Sequence, residues 1–236
     1  MSEQELRDAY NAAASITRTG DGKDVSARLA FKKVLESHLR PEFDAVHYEL
    51  LKNRSNLRLY QLVRAEFAKR PNAEGFLLSS LSTENDPETQ ADILQILGHM
   101  RSRHAAKLAH AFLEHALVRH REVALFVLGW VGEEQDIATL NKHLVRESET
   151  PLRITAAGAL RQLTLRLPEL KSKVLVCLKT SFEHETNGAV FPWIILVIET
   201  IARKDLGLRE NKENPDQWLG DIKKARKRTA AFLASL

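Results

Sequence analysis

Five of the nine histidines crowd one stretch of the chain: His99, His104, His110, His115 and His120. Imidazoles at that density raise the question of a metal site, and their spacing argues against one. Successive members lie five or six residues apart, whereas ligands sharing one helical face recur every three or four. The sequence has no His-Glu-x-x-His pattern, and His184-Glu185 lacks a second histidine at the needed distance. These side chains read as surface and inter-helix histidines with some sensitivity to pH, and no metal is expected.

Other chemistries fail on similar grounds. Gly20-Asp21-Gly22-Lys23-Asp24 touches the pattern of a phosphate loop, but the earlier glycine and the following Ser or Thr are missing. It reads as a turn between two helices, and Asp21 and Asp24 miss the calcium-loop spacing. Glu133, Glu134 and Asp136 gather at a predicted helix start, where the helix dipole already accounts for them. No Gly-x-Ser-x-Gly elbow occurs, and Cys177, the only cysteine, sits in an apolar run as a buried thiol would. No catalytic residue and no cofactor is expected.

One charge feature remains. Lys223, Lys224, Arg226, Lys227 and Arg228 lie on the last predicted helix, and a cationic face of that kind suits phosphates or an acidic protein. No aromatic residue is interleaved on that face, so a solvated cap is the plainer reading. The net charge of +4 permits an acidic partner without marking a nucleic-acid protein.

The elements that must position these residues are helices. Hydrophobic content is 44% and charged content 28%, with only 10 glycines and 7 prolines, which is too little turn chemistry for a β-rich chain. Apolar residues at helical period predict helices at 3–17, 24–38, 41–53, 56–69, 72–82, 87–101, 104–116, 119–131, 134–146, 151–166, 168–184, 189–203 and 215–235. No strand is expected, and 205–213 reads as a mobile loop. Asp86-Pro87, Thr150-Pro151 and Asn214-Pro215 each place a capping oxygen before a proline at the first helical position.

Three of these helices repeat. The run from Asp86 to Met100 is followed after about 31 residues by Arg121 to Gly132, and about 32 further on by Leu152 to Leu163. Ile93, Ala124 and Ala156 align, as do Ile96-Leu97, Val127-Leu128 and Ala159-Leu160, then Met100, Val131 and Leu163. A second amphipathic helix follows each copy. One helix pair cannot bury its apolar face alone, whereas stacked pairs can.

This frame of Asp-Pro, Val-Arg equivalents and Ala-Leu-Gly resembles the HEAT-like repeat family, especially its short bacterial variety. The likeness is good over 86–182. Arg161 stands where a glycine would be, and the first 85 residues keep the helical pairing without the motif. The resemblance implies an all-α chain, a right-handed α-α superhelix of about six helix pairs with a C-terminal capping helix. It forms one solenoid over 1–236, with degenerate pairs in 1–85, the clearest repeats in 86–184, and a last repeat and cap in 185–236. Trp218, Leu219, Ile222, Ala225, Thr229, Phe232 and Leu233 are expected as the buried stripe of that cap.

The resemblance also implies that the second helices line a concave face. Their recurring non-core positions are Lys107, His110 and Glu114, then Thr139, Lys142 and Arg146, then Lys171, Lys173 and Lys179. Such a ladder suits a partner protein, with an acidic surface, better than a small substrate. The expected function is therefore a non-catalytic protein-binding module: an adaptor, an assembly factor or a toxin-neutralising immunity protein. The alternatives are a nucleic-acid binder using the basic face, or a HEAT-like lyase or other enzyme. No apolar run approaches the roughly 20 residues that cross a bilayer, and no signal-peptide pattern opens the chain, so a cytoplasmic location is expected.

Overall fold

Asp86 and Pro87 show how the local chemistry sets an element. The Asp86 carboxylate accepts from the Thr89 backbone N–H at 3.0 Å, and Pro87 occupies the first turn. The helix that follows buries Ala91, Ile93, Leu94, Ile96 and Leu97. The computed structural model describes residues 2–16, 23–214 and 217–236. The glycine turn at 20–22 and Pro215 lie outside them. The chain divides into two units, Met1–Ser102 and Arg103–Leu236.

Unit 1 holds α1 (Glu3–Ile16), α2 (Lys23–Ser37), α3 (Asp44–Leu51), α4 (Leu57–Phe67), α5 (Ala73–Leu81) and α6 (Pro87–His99), with a 3-10 turn at Pro41–Phe43 before α3. Helices α1 and α2 pair, as do α3 with α4 and α5 with α6. Aromatic rings fill much of this core. Tyr10 meets Phe31 edge-on at 5.6 Å, and Phe67 takes His47, Tyr48 and Phe76 around it.

Charged side chains are buried among those rings. Arg70, in the turn after α4, donates to the Asp44 carboxylate and to the carbonyls of His38 (2.6 Å) and Arg40 (2.7 Å). Those carbonyls follow the end of α2, where helix geometry leaves acceptors unpaired. Arg70 also donates to Nδ1 of His47 (3.0 Å), while Nε2–H of His47 donates to the Val63 carbonyl (3.2 Å). Both contacts suit neutral imidazole. Burial, then the Arg70 charge, pushes the His47 pKa down to about 3. A second network joins Arg54 and Tyr60 to buried Asp92 of α6, with Arg54 Nη2 2.7 Å from its carboxylate.

Unit 2 holds α7 (Ala105–Leu113), α8 (Val118–Val131), α9 (Asp136–Arg146), α10 (Thr150–Arg166), α11 (Lys171–His184), α12 (Phe191–Ala202), β1 (Leu208–Glu210), β2 (Trp218–Gly220) and α13 (Ile222–Ala234). First helices α8, α10 and α12 stack in one layer, and second helices α7, α9 and α11 pack against them in the other. The closest approach explains the small residues of the repeat. A Cβ on Gly129 of α8 would stand 3.1 Å from Cα of Ala159 on α10, so glycine lets the two backbones meet. Within each unit the described helices stack in pairs, which makes the fold all-α and HEAT-like.

Several expectations need correction. Thr150 is the first residue of α10 rather than its cap: Glu149 holds the cap position without a side-chain bond, and Thr150 Oγ1 accepts from Asn187 (3.1 Å). The last helix starts at Ile222, where the Asp221 carboxylate accepts from the N–H groups of Lys223 (3.0 Å) and Lys224 (3.2 Å). Trp218 and Leu219 belong instead to β2, which pairs antiparallel with β1 inside the segment read as a loop. Strands of three residues are too short for period-2 alternation to register. Gly207 and Gly220 make the ribbon possible, with φ of 107° and 127°.

Candidate partner-binding surface

The C-terminal ends of α7 and α9 frame an open cleft of about 380 Å3. Its floor is set by Arg121, near the start of α8. Arg121 donates to both carboxylate oxygens of Glu147 (3.1 and 3.0 Å) and to the carbonyls of His115 and Ala116 (3.1 and 2.9 Å). One side chain thus satisfies acceptors after α7 and fixes the residue that caps α9. Burial would raise the Glu147 pKa, but the Arg121 hydrogen bonds and charge outweigh it and hold the carboxylate below its usual range. Arg153 repeats the device one copy later, donating to the Leu144 carbonyl (2.8 Å) and to Glu185 after α11.

His143 lines the same cleft. It is buried, its Nδ1 lies 3.4 Å from Glu147 Oε2, and its Nε2 makes no hydrogen bond. At the rim Lys142 and Arg146 of α9 are exposed beside Glu114. Lys142 and Glu114 lie 3.7 Å apart, both largely in water, so this pair contributes little and leaves the cations open to a partner.

Three of the nine ladder residues, Glu114, Lys142 and Arg146, therefore meet at one place. His110 bonds buried Asp136 at 2.7 Å, and Lys173 pairs with Glu134. Lys107 is exposed on α7, and Thr139 and Lys179 are half-buried on α9 and α11. Lys171 lines a separate cavity of about 310 Å3 with Thr200 and Arg203. Arg121, Glu147 and His143 were not among the expected site residues. The recurrence of Arg121 and Arg153 at equivalent repeat positions was the available signal for the first.

Of the basic residues on α13, Lys223 and Arg226 line a further cavity, Lys224 lies 3.7 Å from Asp221, and Lys227 and Arg228 are exposed. Contrary to the expectation of a face without aromatics, that cavity includes Phe191 and Trp218.

The paired helices, their small-residue contacts and the recurring arginine clamp are a repeat architecture. Residues 75–161 match the family model for HEAT repeats. The matched HEAT segment runs from within α5 to within α10 and carries the α7–α9 cleft, including Lys142, Arg146 and Arg121. No curated protein matches the sequence. HEAT repeats generally mediate protein–protein interaction and generally serve as non-catalytic scaffolds. Among the described residues no helix is long and apolar enough to cross a membrane, and no three His, Cys, Asp or Glu side chains are grouped to hold a metal ion.

Proposed function

We propose that this protein is a non-catalytic binding module whose second helices, α7, α9 and α11, hold a partner protein. An acidic segment of that partner lies in the α7–α9 cleft against Lys142 and Arg146. The observation that carries this reading is the convergence of Glu114, Lys142 and Arg146 at an open cleft over a floor fixed by the Arg121–Glu147 pair. A rigid floor with solvated cations at the rim favours recognition of an acidic surface, because little ordering is needed on binding. The partner's identity decides between adaptor, assembly factor and toxin antagonist.

The test is affinity capture of the tagged protein from its native extract after nuclease treatment, beside the Lys142→Glu/Arg146→Glu double variant. A stoichiometric protein retained by the native chain and lost by the variant supports the proposal. Recovery that depends on nucleic acid, or a partner held equally by the variant, overturns it.

A further inference from the structure

A further cavity of unit 2, of about 460 Å3, opens between the start of α12 and the start of α13. Its chemistry differs from that of the cleft. Phe191, Trp218 and Ile222 give it apolar walls, and Lys223 and Arg226 reach it from α13. The Arg226 guanidinium stands over the Phe191 ring at 4.7 Å from the centroid, which covers one face of the planar fork and holds it in place.

The charge in this cavity is not balanced by its own lining. Glu185 is the one carboxylate among the described lining residues, and its oxygens are already engaged by Arg153 and by the Asn187 backbone N–H (2.7 Å). Among the described residues no carboxylate pairs with Lys223 or Arg226. At the α13 N-terminus the Asp221 carboxylate already takes the N–H groups of Lys223 and Lys224. Recognition falls to the lining side chains, which include two cations, two aromatic rings and an isoleucine. The volume is of small-molecule size.

We propose that this cavity binds a planar aromatic anion, a one- or two-ring molecule carrying a carboxylate or phosphate group. The half-buried Trp218 ring takes the flat part beside the Phe191–Arg226 stack, while Lys223 and the uncovered side of the Arg226 guanidinium take the anionic group. The site is independent of the partner-binding cleft and does not rest on it.

The experiment uses the full chain and isothermal calorimetry with 1-naphthoate and phenyl phosphate as probes. Neutral 2-naphthylmethanol supplies the ring alone, and inorganic phosphate the anion alone. Saturable binding of at least one aromatic anion at millimolar concentration or below is expected, weakened by added salt. Each single-feature probe is expected to bind at least about tenfold more weakly, and Arg226→Gln and Lys223→Gln each to cost about tenfold, the loss of one charge-assisted bond. Lys223 is exposed and makes no described side-chain contact, so K223Q keeps the test decisive if R226Q fails to fold. Failure of both aromatic anions to bind, equal binding of the neutral ring, or unchanged affinity in the folded variants overturns the proposal.

Discussion

Unit 1 and unit 2 solve the same problem, holding short amphipathic helices together, by different means. In unit 1 the helices are tied by buried ions, with Arg70 spanning Asp44, His38, Arg40 and His47, and Asp92 receiving Arg54 and Tyr60. In unit 2 they are tied by register: Gly129 against Ala159, and an arginine clamp repeated at Arg121 and Arg153. The first depends on individual polar partners that must all be present. The second depends on small and apolar residues packed at recurring positions.

The largest expected effect follows from removing a single member of the buried network. Arg70→Met strands the Asp44 carboxylate and two carbonyls, and is expected to destabilise unit 1 by about 3–5 kcal/mol. Denaturant unfolding followed by hydrogen exchange in α3 and α4 would measure it. Adding Asp44→Leu should recover much of the loss; if it recovers none, the network is not what holds these helices. In unit 2, Leu160→Ala opens a void in the α8–α10 layer, with an expected cost of about 2–5 kcal/mol. Exchange protection should fall in α8 and α10, with the loss reflecting packed volume rather than charge.

Acid sharpens the contrast. His47 has a folded pKa of about 3 against an ordinary 6.5, and it faces Arg70 and His38. Between those values the unfolded chain binds a proton that the folded chain excludes, so stability is full above 6.5 and falls as pH drops toward 3. The slope reaches at most about 1.4 kcal/mol per pH unit for one proton. His120 of unit 2, lowered to about 4 by burial and then by the charges of His115 and Arg119, acts in the same direction over a narrower window. Melts of H47Q and the native chain across this range should separate the two, the variant having the shallower slope. The smallest effect is expected from Gly129→Ala, which presses on the Ala159 backbone but gains helix propensity. A net loss of about 0–2 kcal/mol is predicted by thermal melting.

This difference also explains what could be read in the sequence. Ala156, Ala159 and Gly129 announce close helix packing because they recur, and the HEAT match at 75–161 falls over the same repeats. Arg70 takes its meaning from residues 23 to 32 positions away, so periodicity could not find it. At the candidate site, Glu114, Lys142 and Arg146 were legible as equivalent positions on successive second helices. Glu147 and His143 were not, because a cap after a helix and a buried ring leave no mark on the exposed pattern. The β1–β2 ribbon escaped for its length, and with it the placing of Trp218 beside Arg226.

The most direct test of the binding account is site-specific photo-crosslinking in native extract. One photoreactive residue replaces Thr139, a half-buried ladder position on second helix α9, and another replaces Phe126, exposed on first helix α8. The account predicts one abundant protein adduct from position 139 that survives nuclease, and none from position 126. The same protein crosslinking from 126 alone would place the partner on the first-helix layer and contradict it.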